Sequence, residues 1–129
     1  MMRLLLDTHA LIWWWKDDPI LPAETRRVMA DEANEVFVSA ATGWEIATKV
    51  RKGQLPKFSS RMPRFHDDIL RESFRHLPIT AEHGVHGGSL PGAHKDPFDR
   101  VIAAQALLDG LIVVTRDPEI AAFGCEVLW

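Results

Sequence analysis

Two aspartates three residues apart, Asp96 and Asp99, lie in the run His94-Lys95-Asp96-Pro97-Phe98-Asp99-Arg100, whose residue types can do chemistry. Asp-Pro reads as a helix cap followed by the first helical residue. Val101, Ala104, Leu107 and Leu108 then predict one buried face for the helix beyond. Both carboxylates project from one side of the first turn, where free N–H groups and the positive end of the helix dipole favour negative charge. Such a turn can hold an anionic metal ligand. Taken alone, the pattern equally fits a capping box, which only starts a helix. Further acids recur in comparable places: Asp7 after an apolar run, Glu45 early in a helical stretch, and Asp117 after another apolar run.

For these acids to meet, the elements that carry them must alternate. Arg3 to Leu6 reads as a strand stopped by Asp7, and the helical His9–Trp15 follows it. A helix is predicted over Pro22–Ala33, a buried strand over Glu35–Ser39, and a helix from about Ala41 to Arg51 that Gly53 ends. Leu55 to Pro63 reads as a connection, Arg64 to Phe74 as an amphipathic helix, and His76–Ile79 as a short edge strand. Thr80 caps a short helix that should fade at Gly87 and Gly88. The Asp96 helix runs to about Gly110, Leu111–Val114 is a strand leading to Thr115-Arg116-Asp117-Pro118, and Glu126–Leu128 is a final strand. Such alternation implies an α/β domain with a mainly parallel sheet of about five strands, covered by helices on both faces. In open parallel sheets functional groups collect beyond the carboxyl ends of strands, near the point where strand order reverses. Asp7 and Asp117 belong there, Asp99 opens the helix feeding the Leu111 strand, and Glu45 follows the Phe37 strand by a turn or two.

Composition agrees with one compact unit: 129 residues, 47% hydrophobic and 26% charged. No apolar run is long enough to cross a bilayer, and Asp7 comes too early for a signal peptide, so the expected compartment is the cytoplasm and no membrane partner is foreseen. The lone Cys125 cannot form an internal disulfide and reads as a core residue. The net charge of −3 argues mildly against a nucleic-acid partner. Its distribution argues the other way, because Lys49 to Arg75 holds eight basic residues against three acids. That suits an acidic centre beside a basic surface, although such runs are commonly just solvated helix faces.

Several carboxylates brought together repel unless protons or a cation intervene. An all-oxygen set without cysteine suits Mg²⁺ or Mn²⁺ rather than Zn²⁺. Such an ion activates water and stabilises charge on a phosphate oxygen, so the inferred reaction is metal-assisted phosphodiester hydrolysis. Each acid also has a plain reading as a cap or exposed helical residue; it is their mutually consistent placement that carries the inference.

Leu5-Leu6-Asp7-Thr8-His9-Ala10-Leu11-Ile12-Trp13, Ser39-Ala40-Ala41-Thr42-Gly43-Trp44-Glu45-Ile46-Ala47, His94 to Arg100, and Val113-Val114-Thr115-Arg116-Asp117 resemble, in order, the successive motifs of PIN-domain ribonucleases, particularly VapC-type toxins of bacterial toxin–antitoxin pairs. The resemblance spans nearly the whole chain, residues 1–129, as a single domain. It implies a Mg²⁺- or Mn²⁺-dependent endoribonuclease, with the metal held chiefly by Asp7 and Asp99, supported by Glu45 and Asp117, and with Asp96 as an accessory acid. It also implies a substrate among structured RNAs of the translation machinery, an antitoxin lying across the site, and a homodimer. The rival reading is a module of the same fold that binds nucleic acid or a partner without cleaving. An aspartyl-nucleophile phosphatase fits less well, since Asp7-Thr8-His9 lacks a second aspartate two residues on.

Thr115 reads as a hydrogen-bond partner of a ligand carboxylate or of a phosphate, or as a simple cap, and Arg100 and Arg116 as neighbours orienting the acids, meeting RNA, or serving as counter-ions. Lys49, Arg51, Lys52 and Arg116 are the residues assigned to nucleic-acid contact. His9 and His94 lie near the motifs without being required as ligands, and His83 and His86 have ligand-like spacing but no further partners. Consecutive Trp13, Trp14 and Trp15 point about 100° apart on a helix, so at least one is expected to be exposed, to serve a partner or stack an RNA base, unless the helix is sandwiched and buries two faces.

Overall fold

Short runs, apolar except for the Arg-His-Leu of the third, form the strands β1 (Arg3–Leu6), β2 (Glu35–Ser39), β3 (Arg75–Leu77), β4 (Ile112–Val114) and β5 (Val127–Leu128) in a computed structural model that describes Met1–Trp129. Every adjacent pair is parallel, in the order β3-β2-β1-β4-β5. Because β1 is central, its side chains are buried on both faces: Leu4 and Leu6 enter one core, with Leu11, Val36, Ile46, Phe58 and Ile69, and Leu5 enters the other, with Ala41, Ile102, Val113 and Ile120. Full burial of each such leucine contributes about 1.5–3 kcal/mol.

The helices are α1 (Thr8–Trp15), α2 (Ala23–Ala30), α3 (Ala40–Arg51), α4 (Phe65–Arg71), α5 (Ala81–Ser89), α6 (Pro97–Asp109) and α7 (Pro118–Ala122). The chain winds outward from β1 to β2 and β3, then returns to the opposite side of β1 as β4 and β5. Strand order therefore reverses between β1 and β4. Asp7 continues that pairing, its N–H donating to the Val114 carbonyl at 3.1 Å.

Several boundaries differ from the sequence expectation, each for a local reason. Helix α2 stops at Ala30, because Asp31 turns extended and its side chain accepts from the Ala33 N–H. The expected connection after Leu55 is a 3₁₀ stretch, Pro56–Arg64, drawn in by buried Phe58. Strand β3 is Arg75–Leu77 rather than His76–Ile79, since Pro78 has no N–H for a ladder. Helix α5 runs through Gly87 and Gly88 instead of fading there; a Cβ on Gly87 would stand 3.2 Å from the Arg100 carbonyl oxygen, so the glycine lets α5 close onto α6. On α6 the fully buried residues are Ile102, Ala103, Ala104 and Gln105, with Ala106 nearly so, whereas Leu107 and Leu108, expected inside, are exposed. The helix ends at Gly110, whose φ of +68° is left-handed.

The three tryptophans of α1 all pack against the core, half-buried. Each also carries a guanidinium on its ring: Arg116 on Trp13 (4.9 Å), Arg26 on Trp14 (5.1 Å) and Arg61 on Trp15 (4.6 Å). The solvent-facing tryptophan is instead Trp44, 68% exposed, its ring edge-on to Phe98. Cys125 sits half-buried at the margin of the second core, and burial pushes its thiol pKa up.

Candidate functional site

The turns beyond β1 and β4 bring Asp7 and Asp117 together in one open cleft of about 290 Å³, lined also by His9, Trp13, Arg116 and Pro118. Asp7 begins α1: its Oδ1 accepts from the Ala10 N–H at 2.7 Å, while Oδ2 accepts from the Thr115 hydroxyl at 2.5 Å. The same hydroxyl oxygen accepts from the Asp117 N–H at 3.0 Å, so Thr115 ties the two acidic turns to each other. Asp117 caps α7 by accepting from the Glu119 N–H. Burial raises the pKa of Asp7; the bonds from Thr115 and Ala10 oppose this, and the charge of Asp117 adds to it.

Glu45, buried on the inner side of α3, is held from two directions. The Thr8 hydroxyl donates to its Oε1 at 2.6 Å, and Lys49, one turn along α3, places its Nζ 3.3 Å from Oε2. Asp96 and Asp99 have separate duties. Asp96 caps α6, accepting from the N–H groups of Phe98 and Asp99 at 2.9 and 3.4 Å, which leaves Asp99 free of the cap. The carboxyl of Asp99 is pushed up to about 6, first by burial, against the bond from His94, and further by the charges of Asp96, Glu45 and Asp117. The fields of these acids therefore reach one another.

His94 stands between two elements of this site. Its Nε2 donates to Asp99 Oδ2 at 2.9 Å and its Nδ1 to Glu119 Oε2 at 2.6 Å. Carboxylates on both ring nitrogens favour the imidazolium, and the His94 pKa is raised, chiefly by the bond to Asp99. Ligand atoms of His94, Asp117 and Glu119 lie within 4.8 Å of one another. Arg100 does not meet the acids. Its guanidinium donates to the carbonyls of Gly87 and His94, both at 2.9 Å, and of Leu90, and it packs over Phe123. Arg116 lies over Trp13 at the cleft, and Arg51 and Lys52 are exposed at the end of α3 with no ion pair. Much of the basic segment is neutralised locally, since Arg61 and Arg71 pair with Asp68, and Arg75 with Glu35. His83 spends both ring nitrogens internally, accepting from the Thr80 N–H and meeting Asp109. Sequence reasoning passed over Thr8 and Glu119 as participants. Thr8 directly follows Asp7, which hints at a second polar group on that turn; nothing local to Glu119 indicates His94.

A doubly wound parallel sheet with acids gathered at its switch point defines an α/β domain with an acidic centre. Over residues 4–124 the chain matches the family model of the PIN domain, and it belongs to that family. It is 27% identical over 118 residues to Ribonuclease VapC22 of Mycobacterium tuberculosis (strain ATCC 25618 / H37Rv), covering 91% of this chain and 88% of that protein. In three dimensions it is similar to VapBC2 from Rickettsia felis, solved bound to a DNA fragment from their promoter, with a TM-score of 0.71, 17% identity and 98% of each chain covered. It is also similar to VapBC-1 from nontypeable Haemophilus influenzae, with a TM-score of 0.67, 20% identity, and 98% and 97% of the chains covered. At these identities the structural likeness speaks to the fold. No helix is long and apolar enough to cross a membrane.

Proposed function

We propose that this chain is a divalent-metal-dependent endoribonuclease of the VapC kind, the toxin of a toxin–antitoxin pair, hydrolysing RNA phosphodiester bonds. What supports the reading is that Asp7 and Asp117 share one cleft where strand order reverses, that the charges of Asp96, Glu45 and Asp117 act on Asp99, and that Asp7 and Asp99 are both raised in pKa, first by burial and further by neighbouring acids. Carboxylates held in that state gain most from a cation, and an oxygen-rich donor set suits Mg²⁺ or Mn²⁺. Asp7 and Asp99 would hold it chiefly, with Glu45 and Asp117 supporting and Asp96 at the margin as the α6 cap. When bound, such an ion supplies a water of lowered pKa and a counter-charge for the scissile phosphate.

The chain's own residues keep the acids in register. Thr115 and the Ala10 N–H fix both oxygens of Asp7, and Thr8 and Lys49 fix those of Glu45. Arg116 at the cleft and the exposed, unpaired Arg51 and Lys52 would give the RNA backbone positive contacts, whereas Lys49, assigned the same role from sequence, is paired with Glu45. The relationship to Ribonuclease VapC22 supports the activity. Neighbours solved as VapBC and FitAB complexes support an antitoxin partner. Family resemblance extends the reading to a homodimer of the bacterial cytoplasm acting on structured RNA of the translation machinery.

Purified, antitoxin-free protein incubated with total bacterial RNA, with Mg²⁺ or Mn²⁺ and with chelator, tests the proposal. Discrete fragments that require both the metal and Asp7 are expected. Folded protein that cleaves no RNA under either metal, or cleaves equally as Asp7→Asn, would overturn it in favour of a binding module.

A further inference from the structure

Three of the four gathered acids have more than one polar tether or a tether from the backbone. Asp7 is held by Thr115 and the Ala10 N–H, Glu45 by Thr8 and Lys49, and Asp117 by the Glu119 N–H. Asp99 differs. Its backbone is fixed in the first turn of α6, but its carboxylate receives one hydrogen bond, from His94 Nε2 at 2.9 Å. His94 is itself built in. Arg100, one residue after Asp99, reaches back to hold the carbonyls of Gly87, Leu90 and His94, and so closes the loop that leads into α6. Glu119, from the first turn of α7, takes the other ring nitrogen at 2.6 Å and sets the plane of the ring. The histidine thus joins a loop, α6 and α7 at the one acid that lacks any other partner.

We infer that His94 is the positioning residue for Asp99, locked in place by Arg100 and Glu119, and that it fixes the Asp99 carboxylate for cation binding. The inference rests on the metal-dependent reading above. A hydrogen-bond donor behind a ligand orients it and is worth about 10–100-fold in metal affinity when removed. Side-chain geometry offers a discriminating set of variants. A glutamine amide nitrogen falls near the place of Nε2 and can still donate to Asp99, whereas an asparagine nitrogen falls near Nδ1 and can serve only Glu119.

The test is Mn²⁺ titration by calorimetry of the antitoxin-free wild type, His94→Ala, His94→Asn and His94→Gln, together with RNA cleavage at saturating Mn²⁺ and crystal structures of the metal-free proteins. His94→Ala and His94→Asn are expected to weaken Mn²⁺ binding by about 10–100-fold, with His94→Gln recovering most of it. Cleavage at saturating metal should fall much less than affinity does. In metal-free crystals Asp99 should leave its wild-type rotamer in the Ala and Asn variants and keep it in Gln. Equal Mn²⁺ affinity across the four proteins, or an Asp99 rotamer unchanged in His94→Ala, would overturn the assignment. An Ala–Gln difference in Mn²⁺ affinity between the variants, together with wild-type protein that cleaves no RNA, would sink the ribonuclease reading and leave the positioning role standing.

Discussion

Asp7 and the Asp96–Asp99 pair both put a carboxylate at the first turn of a helix, yet they divide the work differently. Asp7 does two jobs at once, capping α1 through one oxygen and facing the cleft with a carboxylate steadied by Thr115. At α6 the jobs are separate: Asp96 caps, and Asp99 is released to the site and held by His94. The difference shows how a fold can build the same acidic centre with or without tying its function to its stability. Where one side chain serves both, any change that removes the charge acceptor risks the helix start; where two share the duties, each can be altered alone.

The comparison is sharpened most by activity. Asp99→Asn and Asp7→Asn should each lower cleavage by roughly 10³-fold, the several kcal/mol expected for losing a metal ligand. Circular dichroism of both should stay that of the folded wild type, because an asparagine oxygen can still accept from the Ala10 N–H. Full activity in either variant would break the assignment of these acids.

The next effect separates the two turns by stability. Asp7→Ala should melt below Asp7→Asn by roughly 4 °C, the equivalent of about 1 kcal/mol for a lost cap, while Asp99→Ala and Asp99→Asn should show no such cap-dependent gap. Equal melting of the two Asp7 variants would remove the dual role.

A pH dependence follows from Asp99. Its carboxyl stands at about 6 in the folded chain against an ordinary 3.8, even after the bond from His94 is counted. Folding therefore takes up a proton between those values, and Asp99 makes the metal-free protein less stable as pH rises through them. In chelator, Asp99→Asn should melt above the wild type at pH 7, with the advantage shrinking below pH 6 and vanishing below 3.8. Added Mn²⁺ should stabilise the wild type and close the gap. A variant less stable than wild type at pH 7 would show that the Asp99 charge is already compensated in the fold.

The smallest change is expected at the cap of α6. Asp96→Ala should lower stability by about 1 kcal/mol and cleavage by less than about tenfold. A loss of activity matching that of Asp99→Asn would reverse the division of labour between the pair.

Much of this comparison is legible in the sequence. Asp before Pro marked both the α6 and α7 starts, and the spacing of Asp96 and Asp99 placed both in one turn. The tethers were less visible. Thr115 to Asp7 joins residues 108 apart, and Thr8 to Glu45 joins residues 37 apart, so neither pairing has a local pattern. Arg100 looked like a companion of the acids because it follows Asp99, yet its long side chain turns back to the carbonyls of Gly87 in α5 and His94 in the loop before α6.

From sequence alone came the alternation of strands and helices, the caps, and the acids at the ends of β1 and β4, because apolar periodicity and Asp, Pro and Gly punctuation act over a few residues. Tertiary structure decided which groups face each other. It turned Leu107 and Leu108 outward while α5 closed on α6 at Gly87, packed the three tryptophans of α1 against the core while leaving Trp44 in solvent, and set His94 between Asp99 and Glu119. Those outcomes depend on which surfaces meet across the sheet, and contacts between segments far apart in the chain exist only once the strands are ordered and the helices are packed on them.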